Sequence, residues 1–327
     1  MERFSFRDVV VVADLWEEHG ATSSIVLRRD LEMTDSTTLS ELIGAIRSLG
    51  LSVHHYQTPG ALAENAKKHS NDIVLSIYGG QDSRNRMALV PAVCESFGLR
   101  FIGPDTYGRV IAQDKGVSKR LAVDCGLLTP VWRIVRSEAE LEYLEGLALP
   151  VVVKPMMEGS SIGISQRNIA ISKAEIALVA TELLEAFKQP VLVEEFVAGR
   201  EVAYCRIDSA EDCLWSFSEI VMDGDPSYFH HQLFDAKEKT LPTPGRSVRN
   251  IDSELSDEDR TALDAFLKAY GSFGYCRVDG RLADGRFHFL ELTPDAWIAP
   301  SGQFARSFTE KGWSYQKVIA AILASSD

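Results

Sequence analysis

Apolar runs of strand length alternate with segments of helical spacing through the first hundred residues, and this alternation constrains the fold more than any other feature. Val9 to Ala13 is the first run, followed by a polar stretch and then by Leu39, Leu42, Ile43, Ile46 and Leu49 before Gly50. Leu51 to Tyr56, a helical Ala61 to Lys68, Asp72 to Tyr78 and a helical Met87 to Phe97 carry the pattern to Phe101 and Ile102. Alternating β and α predicts an α/β fold with a doubly wound parallel sheet. Such sheets take ligands beyond the carboxyl ends of their strands, so the loops at 14–38 and 79–86 are expected to face any active site.

Past Pro104 the texture changes. A helix over Lys115 to Cys125, a strand opened by Pro130 and a second strand from Pro150 into a glycine-rich loop suggest a second unit. Strands at Val191 to Glu195, Val202 to Ile207 and Leu214 to Val221, a loop over Asp223 to Ser247, a helix over Asp257 to Tyr270 and two final strands suggest a third. The expected boundaries are 1–104, 105–190 and 191–327. With 327 residues, 45% of them hydrophobic and 25% charged, the chain has enough apolar surface for a core without disulfide or structural metal.

The formal net charge of −13 repels nucleic acid and anionic lipid, so neither is expected as a partner. A small anion can still bind where lysines and arginines cluster in a cleft. Cys94, Cys125, Cys205, Cys213 and Cys276 lack zinc spacing and read as reduced thiols. With neither a signal-peptide pattern nor an apolar stretch of membrane length, the expected location is the cytoplasm.

The chemistry concentrates at Val151 to Ser165. Lys154 ends an apolar strand, and Glu158, Gly159, Ser160, Ser161 and Gly163 follow. A cation, hydroxyls and unhindered backbone N–H donors within a few residues suit a phosphate. Alone, such a loop is more often a plain turn, and the chain has neither GxxxxGK[ST] nor GxGxxG. Other segments add weight: Ile102-Gly-Pro followed by Gln113-Asp-Lys-Gly-Val-Ser-Lys119, then Val193-Glu-Glu-Phe-Val-Ala-Gly-Arg-Glu-Val202, then Arg277-Val-Asp279 and Phe289-Leu-Glu-Leu292. In this order they resemble the ATP-grasp family, most closely its D-alanine–D-alanine ligase branch, from about Ile102 onward.

The resemblance implies a three-domain ATP-grasp fold: the N-terminal parallel sheet, a central α+β subdomain and a C-terminal α+β domain, with ATP between the last two. It implies that Lys115, Lys154 and Lys237 neutralise the triphosphate, beside Glu158, Ser160 and Ser161. Glu194, Glu195, Phe196 and Val197 would border the adenine, and Glu201 would take the ribose hydroxyls. For Glu194 and Glu195 alone, a solvated strand end is an equally good reading. Asp279, Glu291 and Thr293 would hold one or two Mg2+ ions, since hard carboxylate oxygens suit that ion. Arg277, two residues from Asp279 and on the same strand face, would stabilise the anionic transition state. The implied reaction makes an amide from a small-molecule carboxylate and an amine through an acyl phosphate; relatives are often homodimers.

This sequence departs from the family pattern at its substrate loops. Thr293 stands where asparagine ligates metal, with Asp295 two residues on. The element that holds the first substrate's amino group matches only weakly at Trp16 to Ser24, leaving Glu18 as its candidate. Tyr78 to Arg86 replaces an acidic loop with one carrying Arg84 and Arg86, which could grip a further carboxylate or phosphate. The mobile loop reads Phe234-Asp-Ala-Lys-Glu238, without the tyrosine that pairs with the loop serine, here Ser160. Trp297, Ser301 and Gln303 fall at the second-substrate floor. These changes lead to the expectation of a carboxylate–amine ligase acting on an amino acid or related small acid in specialised metabolism. The rivals are a D-alanine–D-alanine ligase, a noncatalytic nucleotide binder and a ligase acting on a peptide terminus. His54-His55 and His230-His231 are expected to have core or surface roles.

Overall fold

The computed structural model describes residues 4–19, 29–80, 83–208, 213–235 and 245–325. Its first sheet holds β1 (Val9–Val12), β2 (Val53–Tyr56), β3 (Ile73–Ser76) and β4 (Arg100–Ile102), all parallel, in the order β2-β1-β3-β4. Every side chain of β1 is buried because the strand is central and helices cover both faces. Val9 and Val11 face a core that includes Leu42 and Ile46 of helix α1 (Ser36–Ser48), capped by Asp35. Val10 and Val12 face Leu62 of α2 (Pro59–Asn65) and Val90 and Cys94 of α3 (Leu89–Phe97).

Two helices then meet almost end to end: α4 (Thr106–Gln113) and α5 (Lys115–Asp124). Asp114 ends the first and caps the second, accepting from Val117 N at 3.0 Å, and so puts Lys115 in the first turn of α5. The central sheet is antiparallel, in the order β5-β8-β6-β7, from β5 (Trp132–Val135), β6 (Val151–Pro155), β7 (Ile169–Ala170) and β8 (Val191–Glu195). Helix α6 (Lys173–Phe187) covers one face with Ile176, Val179, Leu183 and Phe187, which pack on Val151, Val153, Val191 and Val193. Burying each such side chain contributes about 1.5–3 kcal/mol. Strand alternation turns Val152, Lys154, Leu192 and Glu194 to the opposite face.

The third sheet is antiparallel, in the order β11-β10-β9-β12-β13: β9 (Arg200–Ile207), β10 (Leu214–Met222), β11 (Arg246–Asn250), β12 (Tyr275–Ala283) and β13 (Arg286–Thr293). Helix α7 (Asp257–Tyr270) lies on one face, with Phe266 against Phe289. Helices α8 (Gln303–Thr309) and α9 (Tyr315–Ala324) return to the first sheet, α9 packing on α1.

The structure adds elements to those expected. Helix α4 precedes the expected one, α6 and β7 separate the glycine-rich loop from β8, and β11 begins inside the expected 223–247 loop. Two helices follow the last strands. All five cysteines are free, and among the described residues no helix is long and apolar enough to cross a membrane.

Candidate active site

Strands of the central and third sheets, with the loops after β1 and β3 of the first, line one cleft of about 890 Å3. At its N-terminal wall, buried Asp14 follows β1 and accepts from Gly79 N at 2.9 Å and Gly80 N at 2.8 Å, joining the loops after β1 and β3. The carboxyl ends of these strands thus face the cleft, as the doubly wound pattern predicts.

The glycine-rich loop forms the opposite wall. Ser160 (φ 49°) and Ser161 (φ 59°) both adopt the left-handed conformation, uncommon for residues with a side chain and typical of functional loops. Ser161 Oγ donates to Phe234 O at 2.6 Å. Gln166 exchanges hydrogen bonds with Leu233 at 2.9 Å in both directions, so residues 233–235 are clamped to the central sheet's loop. The expected Lys237 lies outside the described residues, as does the side chain of Glu18.

Glu194 lies 2% exposed beneath the cleft, its carboxylate between Lys154 Nζ at 2.5 Å and Lys119 Nζ at 2.7 Å. It is therefore not a solvated strand end. Burial acts to raise the Glu194 carboxyl, but the two lysines outweigh it and hold it below its ordinary value. Lys119 is fully buried, and desolvation brings it down to about 8 against the opposing pull of Glu194. Lys119 also donates to Thr129 Oγ1 at 2.7 Å. Lys119, the second lysine of the Gln113–Lys119 segment, is thus part of the support, a role that its spacing does not suggest. Glu195 accepts from Ala148 N at 2.8 Å, and Phe196 N donates to Pro150 O at 2.9 Å, fixing the segment that leads to Val197.

Strands β12 and β13 carry a polar square. Their register pairs Arg277 with Thr293 and Asp279 with Glu291, and the irregularity after Asp279 lies just beyond it. Arg277 grips Asp279 with two hydrogen bonds, at 2.6 and 2.9 Å, and Thr293 Oγ1 donates to Asp279 Oδ2 at 3.1 Å. Lys115 reaches Glu291 at 3.0 Å and also donates to the backbone carbonyl of Glu158, linking the phosphate-type loop to this square. Two carboxylates and a hydroxyl side by side are hard oxygen donors that fit Mg2+. Asp295 is ion-paired to the buried Arg109, which sets it apart from the square.

Three residues missed in the sequence reading organise the site. Arg281 pairs with Glu201 at 2.8 Å, donates to Gly199 O at 3.0 Å and Gln232 O at 3.1 Å, and stacks its guanidinium over Phe196 and Phe229. Glu32 and Gln189 both contact the glycine-rich loop region. Of the two loop arginines, Arg84 is exposed, whereas Arg86 is buried between Glu32 and Glu158. Arg86 is therefore engaged by protein carboxylates and does not offer a substrate the bidentate grip expected above.

This cleft, with lysines on one side and an Arg–Asp–Glu square on the other, belongs to a three-domain ATP-grasp fold. The fold is shared with solved structures: a D-alanine–D-alanine ligase from Bacillus anthracis complexed with ATP has a TM-score of 0.70 at 20% identity, covering 98% of this chain and 97% of that one. The VanG D-Ala:D-Ser ligase from Enterococcus faecalis has a TM-score of 0.72 at 18% identity, covering 98% and 100%. In sequence, D-alanine–D-alanine ligase from Verminephrobacter eiseniae is 28% identical over 295 residues, 86% of this chain and 84% of its own length. The enzyme of that name from Bordetella petrii is 28% identical over 290 residues, 86% and 84%. A family model described as D-ala D-ala ligase C-terminus matches residues 125–324, and the chain belongs to that family. It is an ATP-grasp ligase that forms a carbon–nitrogen bond.

Thr293→Asn tests the one departure within the square. An amide oxygen is a better ligand than a hydroxyl, so half-maximal activation is expected at a several-fold lower Mg2+ concentration. An unchanged activation curve would show that position 293 does not reach the ion.

Proposed function

We propose that this enzyme uses ATP to join the carboxylate of D-alanine to the amino group of a second D-amino acid, D-alanine in the first instance. The observation that carries the reading is the placement of Lys115 and Lys154 in the same cleft as the Arg277, Asp279 and Glu291 square. The likeness over most of the length of the D-alanine–D-alanine ligases supports the choice of substrate. It favours this reading over an undefined acid in specialised metabolism.

In the proposed division, residues 1–104 carry the first-substrate wall, while 105–190 and 191–327 hold the nucleotide. Lys115 and Lys154 bind the phosphates, and the Ser160–Ser161 backbone would offer them N–H donors. Asp279, Glu291 and Thr293 would hold Mg2+, whose charge offsets that of the β and γ phosphates. A substrate carboxylate oxygen bonds to the γ phosphorus as the bond to ADP breaks, giving an acyl phosphate. The amine nitrogen then attacks the acyl carbon, phosphate leaves and the nitrogen loses its proton. In this reading Arg277 hydrogen-bonds the anionic oxygens in both steps.

One observation favours a different second substrate. Trp297 and Gln303 line the cleft where the second-substrate floor is expected, and the nearly covered side chain of Asp295 there is locked to Arg109, so this floor carries a large indole beside a neutralised carboxylate. The test is a phosphate-release assay with ATP, Mg2+ and D-alanine alone, then D-alanine with an array of amino acids and amines, using Lys154→Ala as the blank. Release with D-alanine alone is the expected result. Release that needs a second, different amine would reassign the acceptor, and silence with every pair containing D-alanine would sink the reading.

A further inference from the structure

Arg86 opens the short turn Arg86–Ala88 ahead of α3, is 3% exposed and does not line the cleft. Its two partners do line it, and they come from different parts of the fold. Glu32 follows the N-terminal polar loop, and Glu158 begins the glycine-rich loop. Arg86 donates through Nε and Nη2 to Glu32 Oε2, and through Nη2 to Glu158 Oε2 at 3.0 Å. Each carboxylate passes the restraint on. Glu32 Oε1 accepts from Gly159 N at 2.8 Å, and Glu158 Oε1 accepts from Gln189 Nε2 at 2.7 Å. The backbone carbonyl of Glu158 accepts from Lys115. The approach at Gly159 is so close that a Cβ there would lie 2.5 Å from Glu32 Oε1.

The next two residues, Ser160 and Ser161, hold a left-handed backbone that persists only where the surroundings over-determine it. We propose that Arg86 is a positioning residue: through Glu32 and Glu158 it fixes the glycine-rich loop against the N-terminal wall, and so presets the loop for nucleotide phosphates. The inference rests on the reading that this loop receives those phosphates. Without the guanidinium, two buried carboxylates face each other uncompensated, and the loop loses the hold that sets its conformation.

The test uses the full chain and the probe AMP-PNP with Mg2+. Affinity is read by calorimetry, and hydrogen exchange is followed over peptides covering 156–165 and 9–13. Arg86→Gln is expected to weaken AMP-PNP at least tenfold and to speed exchange in the loop, with β1 unchanged. Arg86→Lys should recover part of both effects. Glu158→Gln should act in the same direction, and adding it to Arg86→Gln should cost little more, because the two report one restraint. If Arg86→Gln does not fold, Glu32→Gln and Glu158→Gln carry the test, since both keep the arginine. A lowered melting temperature with AMP-PNP affinity and loop exchange unchanged would reduce Arg86 to a structural ion pair and overturn the proposal. A wild-type protein that binds AMP-PNP but does not ligate D-alanine overturns the proposed reaction instead, and the Arg86 comparison is still read on binding.

Discussion

Glu194→Gln is expected to destabilise the protein by about 3–5 kcal/mol, because it removes the one carboxylate seen between two buried ammonium groups. Lys119 is buried completely and Lys154 nearly so, and neither has enough solvent nearby to replace the lost counter-charge. In a melting experiment on a chain of this length the loss corresponds to about 4–7 °C. Adding Lys119→Met to Glu194→Gln should restore a large part of it, because an apolar side chain of similar length removes one stranded charge. The result would measure the coupling directly. Equal melting temperatures for wild type and Glu194→Gln would show that the lysines do not depend on this carboxylate. The same substitution should weaken ATP binding, since Lys154 then has no partner to hold it on the cleft face of β6.

Arg277→Ala should lower kcat by about 10^2- to 10^3-fold, the usual cost of removing a donor aimed at developing negative charge. The Michaelis constant for ATP should change much less, because in the proposed mechanism Lys115 and Lys154 still hold the ground-state phosphates. A second consequence sharpens the test. Arg277 grips both oxygens of Asp279, so its loss frees that carboxylate, and the Mg2+ activation curve should move as well. Arg277→Lys keeps the charge but not the two-pronged geometry and should recover only a small part of kcat. A full recovery would mean that charge alone matters at this position, and an unchanged kcat for Arg277→Ala would remove it from the chemistry.

The parallel sheet was legible because its strands are nearly uniform apolar runs, the signature of strands buried on both faces. Helix α6 carried as clear a signal, with Ile176, Val179, Leu183 and Phe187 at helical spacing behind the Ser172 cap. The expected division omits it, placing only the glycine-rich loop and β8 in this stretch. Strand β11 was harder to read: Arg246 to Asn250 is mostly exposed and polar, and its pairing with β10 is what makes it a strand. In the site, spacing puts Arg277 and Asp279 on one face, the family resemblance names Glu291 and Thr293, and the cross-strand register brings the four together. Spacing could not show that Arg86 turns inward to Glu32 and Glu158, because that depends on three segments distant in sequence. The role of Lys119 was hidden for a similar reason, as its partner Glu194 lies on a strand far along the chain.

Helix α9 brings Val318, Ile319, Ile322 and Leu323 into the same core as Val9, Val11, Leu42 and Ile46. A ribosome completes the parallel sheet long before it makes the surface that seals one side of it. The nascent N-terminal unit therefore carries an open apolar flank through most of translation, a state that invites chaperone binding or aggregation. Removing α9 would leave every described residue of the cleft in the chain and still expose the apolar side chains that α9 covers beside α1, so such a truncation would lose the enzyme through solubility and not through chemistry.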